Sequence, residues 1–204
     1  MAIIKPNNNT ISAITALPSG MTSAPGLTTG ALILIKTQTA SNVSNVIFDH
    51  GTSDVVFDNT YKCYLLNVHR AYGATDDQKI RIKTRISGSD SSSAFRQQAM
   101  YHTYNGSTST NPASAPNNDK LFQISGTIRN SSPEYFQGQF FFYGIGESTR
   151  MVMTGQGAYK NSSGYHHNEA FSSGVDNDET VNGIKIDMAS GNIYGTFSLY
   201  GITT

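Results

Sequence analysis

The sequence predicts an all-β fold: an antiparallel β-sandwich of the jelly-roll type over residues 31–204, preceded by an extended N-terminal arm over residues 1–30. Three observations predict it. From Ala31 to the end, short segments carry apolar residues at every second position, the period of a strand with one buried face. Clusters of Gly, Asn, Asp and Ser separate these segments at roughly 10–15-residue spacing, as in sandwiches and barrels. No stretch after Gly30 shows the apolar spacing of a long helix. About ten antiparallel strands with mixed long and short connections suit a jelly roll. The absence of Trp and of a Cys pair disfavours an immunoglobulin-like sandwich. Without a fixed repeat period, a solenoid or propeller is disfavoured as well.

Residues 1–30 differ from the rest. Ile3, Ile4, Ile11, Ile14, Leu17 and Met21 are scattered among Asn, Thr, Ser and Gly, with Pro6, Pro18 and Pro25. Ile11, Ile14 and Leu17 are spaced for one face of a short helix, with Thr10 as N-cap and Pro18 as stop. So short a helix is marginal alone and needs a surface to pack on. The segment therefore reads as an assembly anchor, with Ile3, Ile4, Ile11, Ile14 and Leu17 as the anchoring side chains.

The strands follow in order. ALILIKT (31–37) and VSNVIFD (43–49) come first, then a turn at His50-Gly51-Thr52-Ser53 and a short strand VVF (55–57). TYKCYLLNVHRAY (60–72) alternates Tyr61, Cys63, Leu65 and Val68 with Lys62, Asn67 and His69. KIRIKTRIS (79–87) sets Ile80, Ile82, Thr84 and Ile86 against Lys79, Arg81, Lys83 and Arg85, with the cations read as a solvated face. A flexible tip, SGSDSSS (87–93), leads into FRQQAMYHTY (95–104). Its first half is open between helical turn and strand, and its second half alternates as a strand. Residues 106–119 read as the longest loop. KLFQISGTIR (120–129), YFQGQFFFYG (135–144), TRMVMTG (149–155) and EAFSSG (169–174) are further strands, with a polar excursion over 161–167 and an acidic loop VDNDET (175–180). The chain closes on NGIKIDMASGNIYGTFSLYGI (182–202), which reads as a hairpin about Ala189-Ser190-Gly191-Asn192. Gly195 and Gly201 suggest a bulge or a close backbone approach.

Composition narrows the function classes. Of 204 residues, 37% are hydrophobic and only 14% charged, and the formal net charge is zero. That balance supplies no electrostatic attraction to nucleic acid or to an anionic membrane. The longest apolar run, Ala31–Ile35, is far below a membrane span. The start MAIIKPNNN lacks the basic and apolar regions of a secretion signal, so the expectation is a soluble protein made in a cytoplasm. The single cysteine, Cys63, allows neither an intrachain disulfide nor a multi-cysteine zinc site.

Candidate chemistry is sparse. The chain contains four glutamates, Glu134, Glu147, Glu169 and Glu179, and neither G-x-S-x-G, a phosphate loop nor H-E-x-x-H. No catalytic residue, metal ligand or cofactor is expected. Asp176, Asp178 and Glu179 partly imitate a calcium loop but depart from its spacing. His166 and His167 are strand neighbours, so they point to opposite faces and cannot easily share one ion. The eleven tyrosines and ten phenylalanines favour a binding role over a catalytic one. Tyr101, Tyr104, Tyr159 and Tyr165, with His166, lie in or beside loops rich in Asn and Ser. Such loops suit sugar rings and hydroxyls, and Tyr101, Tyr104, Tyr165 and His166 are the candidate ligand-facing residues.

Three segments carry a resemblance: IIKPNNNTISAITALPSG (3–20), VVFDNTYKCYLLNVHRAYGATDDQKIRIKTRISG (55–88) and the closing segment. They resemble small jelly-roll structural proteins of tailed bacteriophages, particularly those infecting marine bacteria and cyanobacteria. Asp58, Thr60, Tyr61, Tyr64 and Leu66 carry a D-x-T-Y-x-x-Y-x-L strand, Ala74-Thr75-Asp76-Asp77 an A-T-D-D loop, and Ser190–Ile202 an S-G-N-I…G-T-F-x-L-Y-G-I ending. These segments cover about a third of the chain, and residues 89–119 depart most from the pattern. The resemblance implies a non-enzymatic virion protein, made in the host cytoplasm and assembled as a homotrimer with other capsid or tail subunits. It implies either a capsid decoration (cement) protein held by its arm or a tail-fibre or tail-tip protein binding a host surface glycan. Cofactors, nucleic-acid binding and membrane insertion are not expected.

Overall fold

The computed structural model describes residues 32–58, 60–92, 95–104, 108–114, 122–130, 134–161 and 163–202. The expected arm, with its candidate helix and anchor residues Ile3, Ile4, Ile11, Ile14 and Leu17, lies outside them. Among the described residues there is no helix, and thirteen strands are present. They are β1 (Leu32–Val43), β2 (Asn45–Asp49), β3 (Cys63–Gly73), β4 (Ile80–Ile86), β5 (Ser89–Asp90), β6 (Phe95–Tyr104) and β7 (Thr108–Ser114). After these come β8 (Phe122–Gln123), β9 (Phe136–Tyr143), β10 (Val152–Lys160), β11 (His166–Val175), β12 (Gly183–Met188) and β13 (Ile193–Ile202).

All pairings are antiparallel, and they form two sheets packed face to face as a sandwich. The larger has the order β1-β13-β3-β9-β10-β11-β6-β7; the smaller has β2-β12-β4-β5, with β8 also on β4. The pairs nest: β1 with β13, β2 with β12, β3 with β9, β4 with β8. The chain therefore behaves as one long hairpin wound into two layers, with β10-β11 and β6-β7 extending the larger sheet. Alternate residues of each sheet meet in the middle. Leu66, Phe140 and Phe197 come from the larger sheet and Phe48, Ile82 and Ile184 from the smaller, all fully buried in one cluster.

The expected closing hairpin is a corner instead. β12 and β13 do not pair with each other; the turn at 189–192 carries the chain from the small sheet to the large one. Alternation fixes which side chains face inward, but it is blind to which sheet a strand joins. This corner is tied to two others. Asn192 Nδ2 donates to Asn42 O at 3.0 Å, and Ala74 N donates to Asn192 O at 2.8 Å. A Cβ on Gly191, whose φ is +77°, would stand 2.3 Å from Thr75 Oγ1. Gly195 and Gly201 do allow close approach: a Cβ on Gly195 would meet Ala71 Cα at 2.8 Å, where the β13–β3 register slips, and Tyr61 lies across Gly201.

Two further expectations change, and an open reading is decided. VVF is not a strand: Val55 and Phe57 are buried, but Gly51 N donates to Val55 O and Phe57 N donates to His50 Nδ1, so local turn bonds replace a ladder. Residues 106–119 are not loop throughout, because β7 pairs with β6 from Tyr104↔Thr108 to Gln98↔Ser114. Its polar sequence hides the strand, and Pro112 is tolerated because β7 is an edge. The first half of 95–104 is strand, in full register with β11.

The cations of β4 also differ from expectation, since they are not simply solvated. Arg85 reaches Asp49 at 2.8 and 3.1 Å and Asp90 at 2.7 Å, Arg81 holds Asp187 at 2.8 Å, and Lys83 lies 3.2 Å from Asp187. Lys185 bonds Asp90. The Arg85 side chain is only 11% exposed. Its bond to Asp49 holds the guanidinium still further into its charged form. Asp49 itself fits because Gly183 opposite it has no Cβ to collide with the carboxylate.

Candidate functional site

Residues that carry the sequence motifs serve the fold. Asp58 Oδ1 accepts bonds from Thr60 N and Oγ1, which hold its carboxyl below the usual range. Asp76 Oδ1 accepts from Asn130 N. The acidic loop is clasped by arginines: Arg96 grips Asp176 at 2.9 and 3.0 Å, and Arg150 grips Asp178 at 3.1 Å. Cys63 is buried, and burial pushes its thiol up.

A concave region lies elsewhere, on the larger sheet where β10 ends, β11 begins and β6 ends. A cavity of about 480 Å³ is lined there by Tyr104, Tyr135, Tyr159, His166, His167 and Asn168, among others. That volume is in the range of small-molecule sites. Register explains the grouping. His166 stands between Lys160 and Tyr104, and Asn168 between Ala158 and His102. Alternation puts these two neighbouring rows on the outer face, and Ala158 leaves the space that a larger side chain would fill.

The strands under the cavity are braced from the inner face of the sheet. The Tyr159 ring stacks on His167, with centroids 5.1 Å apart and planes within 10°. Tyr159 OH donates to Glu169 Oε1 at 2.5 Å and accepts from Gly126 N at 2.8 Å. Burial pushes the Glu169 carboxyl up, with the Tyr159 bond opposing it. Asn161 Oδ1 accepts from Tyr165 N at 2.8 Å, which turns Asn161 Nδ2 toward His167 Nε2, 2.9 Å away. The amide must donate there, so Nε2 is the acceptor and the ring proton sits on Nδ1, facing Thr103 Oγ1 at 3.2 Å. Burial holds His167 below the usual histidine range, in keeping with this neutral form.

A second depression, about 330 Å³, adjoins the first through Ala158 and Asn168. Carboxamides dominate its lining: Asn67, Gln137, Gln139, Gln156 and Asn168. On the opposite, inner face of the same strands, Gly138 and Gly157 pair across β9 and β10 and make room for the buried Phe136 ring.

Of the sequence-derived candidates, Tyr104 and His166 are brought together in this cavity, and both are exposed. Tyr165 is exposed but does not line it. Tyr101 lies in β6 opposite Glu169, and its side chain is outside the described part. His166 faces outward and His167 inward, as strand neighbours must. Tyr135, Lys160, Asn168 and the glutamines were not foreseen. The Q-G-Q and G-Q-G triplets at 137–139 and 155–157 were the available signal, since each places amides on one face and glycine on the other.

A different surface lies at the opposite end of the same outer face. Leu32, Ile202, Cys63, Tyr143 and Val152 form one row across five strands, and Leu34, Tyr200, Leu65, Phe141 and Thr154 form the next. Leu32, Leu34, Tyr143 and Val152 are 46, 55, 44 and 41% exposed. No family model, curated protein or solved structure matches the chain.

Proposed function

We propose that the chain is a non-enzymatic structural protein of a tailed-bacteriophage virion. In this reading it is a capsid decoration or cement protein, held to the particle through residues 1–30 and self-associated as a homotrimer. The observation that carries the reading is the apolar band of the larger sheet. The core between the sheets is built from the inward-facing side chains, and those of this band lie outside it. Contiguous exposed apolar area of this kind marks a contact with another protein. β1 begins within the band at Leu32. The nested strand pairing supports the same reading, because we take it as a jelly-roll path, an architecture used by capsid domains. The virion resemblance supports it too.

The test is particle assembly. Virions produced with a chain lacking residues 2–30 should lose the protein, while the purified truncated chain keeps its β-sheet circular dichroism. Normal incorporation of the truncated chain would remove the arm as anchor. A copy number comparable to that of the capsid subunit is expected. A copy number of only a few would favour the tail-fibre or tail-tip reading, which the groove on the larger sheet favours over simple decoration.

A further inference from the structure

The geometry points to a binding site for a neutral oligosaccharide in the groove formed by the two adjoining depressions. One sugar ring would lie against Tyr104, and the hydroxyls of the next units would lie along Asn168, Gln156 and Gln139. The inference concerns the isolated chain and does not rest on the virion reading.

Three features select this ligand class. The first is the amide lining. Each carboxamide offers two N–H donors and a carbonyl acceptor, the mixed set that neighbouring hydroxyls require. An apolar ligand would strip water from these amides without replacing its hydrogen bonds. The second is charge. Among the described lining residues the sole lysine or arginine is Lys160, and Glu134 holds it at 3.1 Å. A phosphate, sulfate or carboxylate ligand would meet no uncommitted cation from those side chains. The third is the aromatic end. Tyr104 is 59% exposed on the outer face, over strands that Tyr159, His167 and Glu169 brace from the inner face. An exposed ring over braced strands presents a flat apolar surface with polar groups at its edge. The C–H face and hydroxyl edge of a pyranose complement it. Because those strands are already ordered, little freedom is lost there on binding.

The groove is also longer than one ring. Its two parts share Ala158 and Asn168 and cross from β3 to β6, so a chain of sugars fits its shape better than a monosaccharide does.

The test uses the full-length chain. It is titrated by calorimetry and by NMR with neutral gluco-, galacto- and manno-oligosaccharides, and in parallel with sulfated and uronate-containing ones. At least one neutral oligosaccharide should bind at millimolar concentration or better. Tyr104→Ala should weaken it about tenfold, as for an aromatic anchor, and Gln156→Ala should weaken a longer oligosaccharide more than a disaccharide. Tyr104→Phe should retain binding, and Tyr165→Ala, outside the groove, should change nothing. Melting temperatures of all four variants identify any that fail to fold. The inference is overturned if no neutral oligosaccharide binds the folded chain. It is equally overturned if binding survives Tyr104→Ala, or if only anionic sugars bind and added salt abolishes it. Particle incorporation does not enter the assay, so its failure and the failure of the virion reading are distinguishable.

Discussion

Glu169 and His167 face the same interior region of the larger sheet, yet burial moves their protonation in opposite directions. Glu169 is raised above the ordinary glutamate value of 4.5, so the unfolded chain ionises it first. Its contribution to stability is fully present below that value and is lost as pH rises through the folded-state value. His167 is lowered below 6.5, so its contribution is present above that value and lost as pH falls through the folded-state one. Glu169→Gln keeps an acceptor for Tyr159 OH while removing the titration. Its melting temperature relative to wild type should climb as pH rises above the ordinary glutamate value of 4.5; a flat difference would mean that Glu169 is not desolvated. Arg85 is the other residue with much at stake. Arg85→Met leaves the largely buried Asp49 without its principal partner, which for a buried pair costs about 3 kcal/mol. For a domain of this size that is a fall of roughly 6–12 °C in melting temperature, readable by calorimetry.

At the scale of elements, glycine decides how strands and corners approach. β9 and β10 can lie under the Phe136 ring because a Cβ on Gly157 would stand 2.3 Å from it. Gly157→Val should therefore destabilise by about 2–3 kcal/mol through overpacking. Phe136→Leu in the same chain should recover part of the loss, and a denaturant-melt double-mutant cycle measures the coupling. At the corner between β12 and β13, Gly191→Ala should cost about 1–2 kcal/mol from its left-handed backbone alone. The clash with Thr75 adds to this, and only the clash should be relieved by Thr75→Ala. The same corner explains why the A-T-D-D loop and the S-G-N turn belong together: they touch, so neither can change without the other.

For the molecule as a whole, the larger sheet carries two distinct surfaces on one outer face, an apolar band at one end and an amide groove with aromatic residues at the other. Replacing Leu34 and Val152 together by Glu should leave the melting temperature within a few degrees of wild type, because both are exposed and carry little core packing. It should lower self-association in analytical ultracentrifugation and incorporation into particles. Unchanged self-association would mean that the band is not the contact. Sugar binding by this double variant should match wild type, which separates the two ends experimentally.

Much of the local structure was legible in the chain. The inward sets of β4 and β13 and the opposed directions of His166 and His167 follow from period-two alternation, a property of single strands; in β3 the expected set of Cys63 and Leu65 faces outward, and Tyr64 and Leu66 fill the core instead. Partnership was not legible, because pairing depends on residues far apart in sequence. Alternation across 182–202 looked like a hairpin, although its strands belong to different sheets. The β4 cations looked solvated because Asp49, Asp90 and Asp187 come from three other strands. The polar edge strand β7 carried no apolar signal at all. Tyr104 and His166 could be nominated singly, but the groove needed Gln139, Gln156 and Asn168 from three strands laid side by side. The sequence by itself determined an all-β chain and which side of β4 and β13 faces the core. Tertiary structure alone decided how the strands nest, which charges pair and where the amides gather, since register across strands sets those contacts.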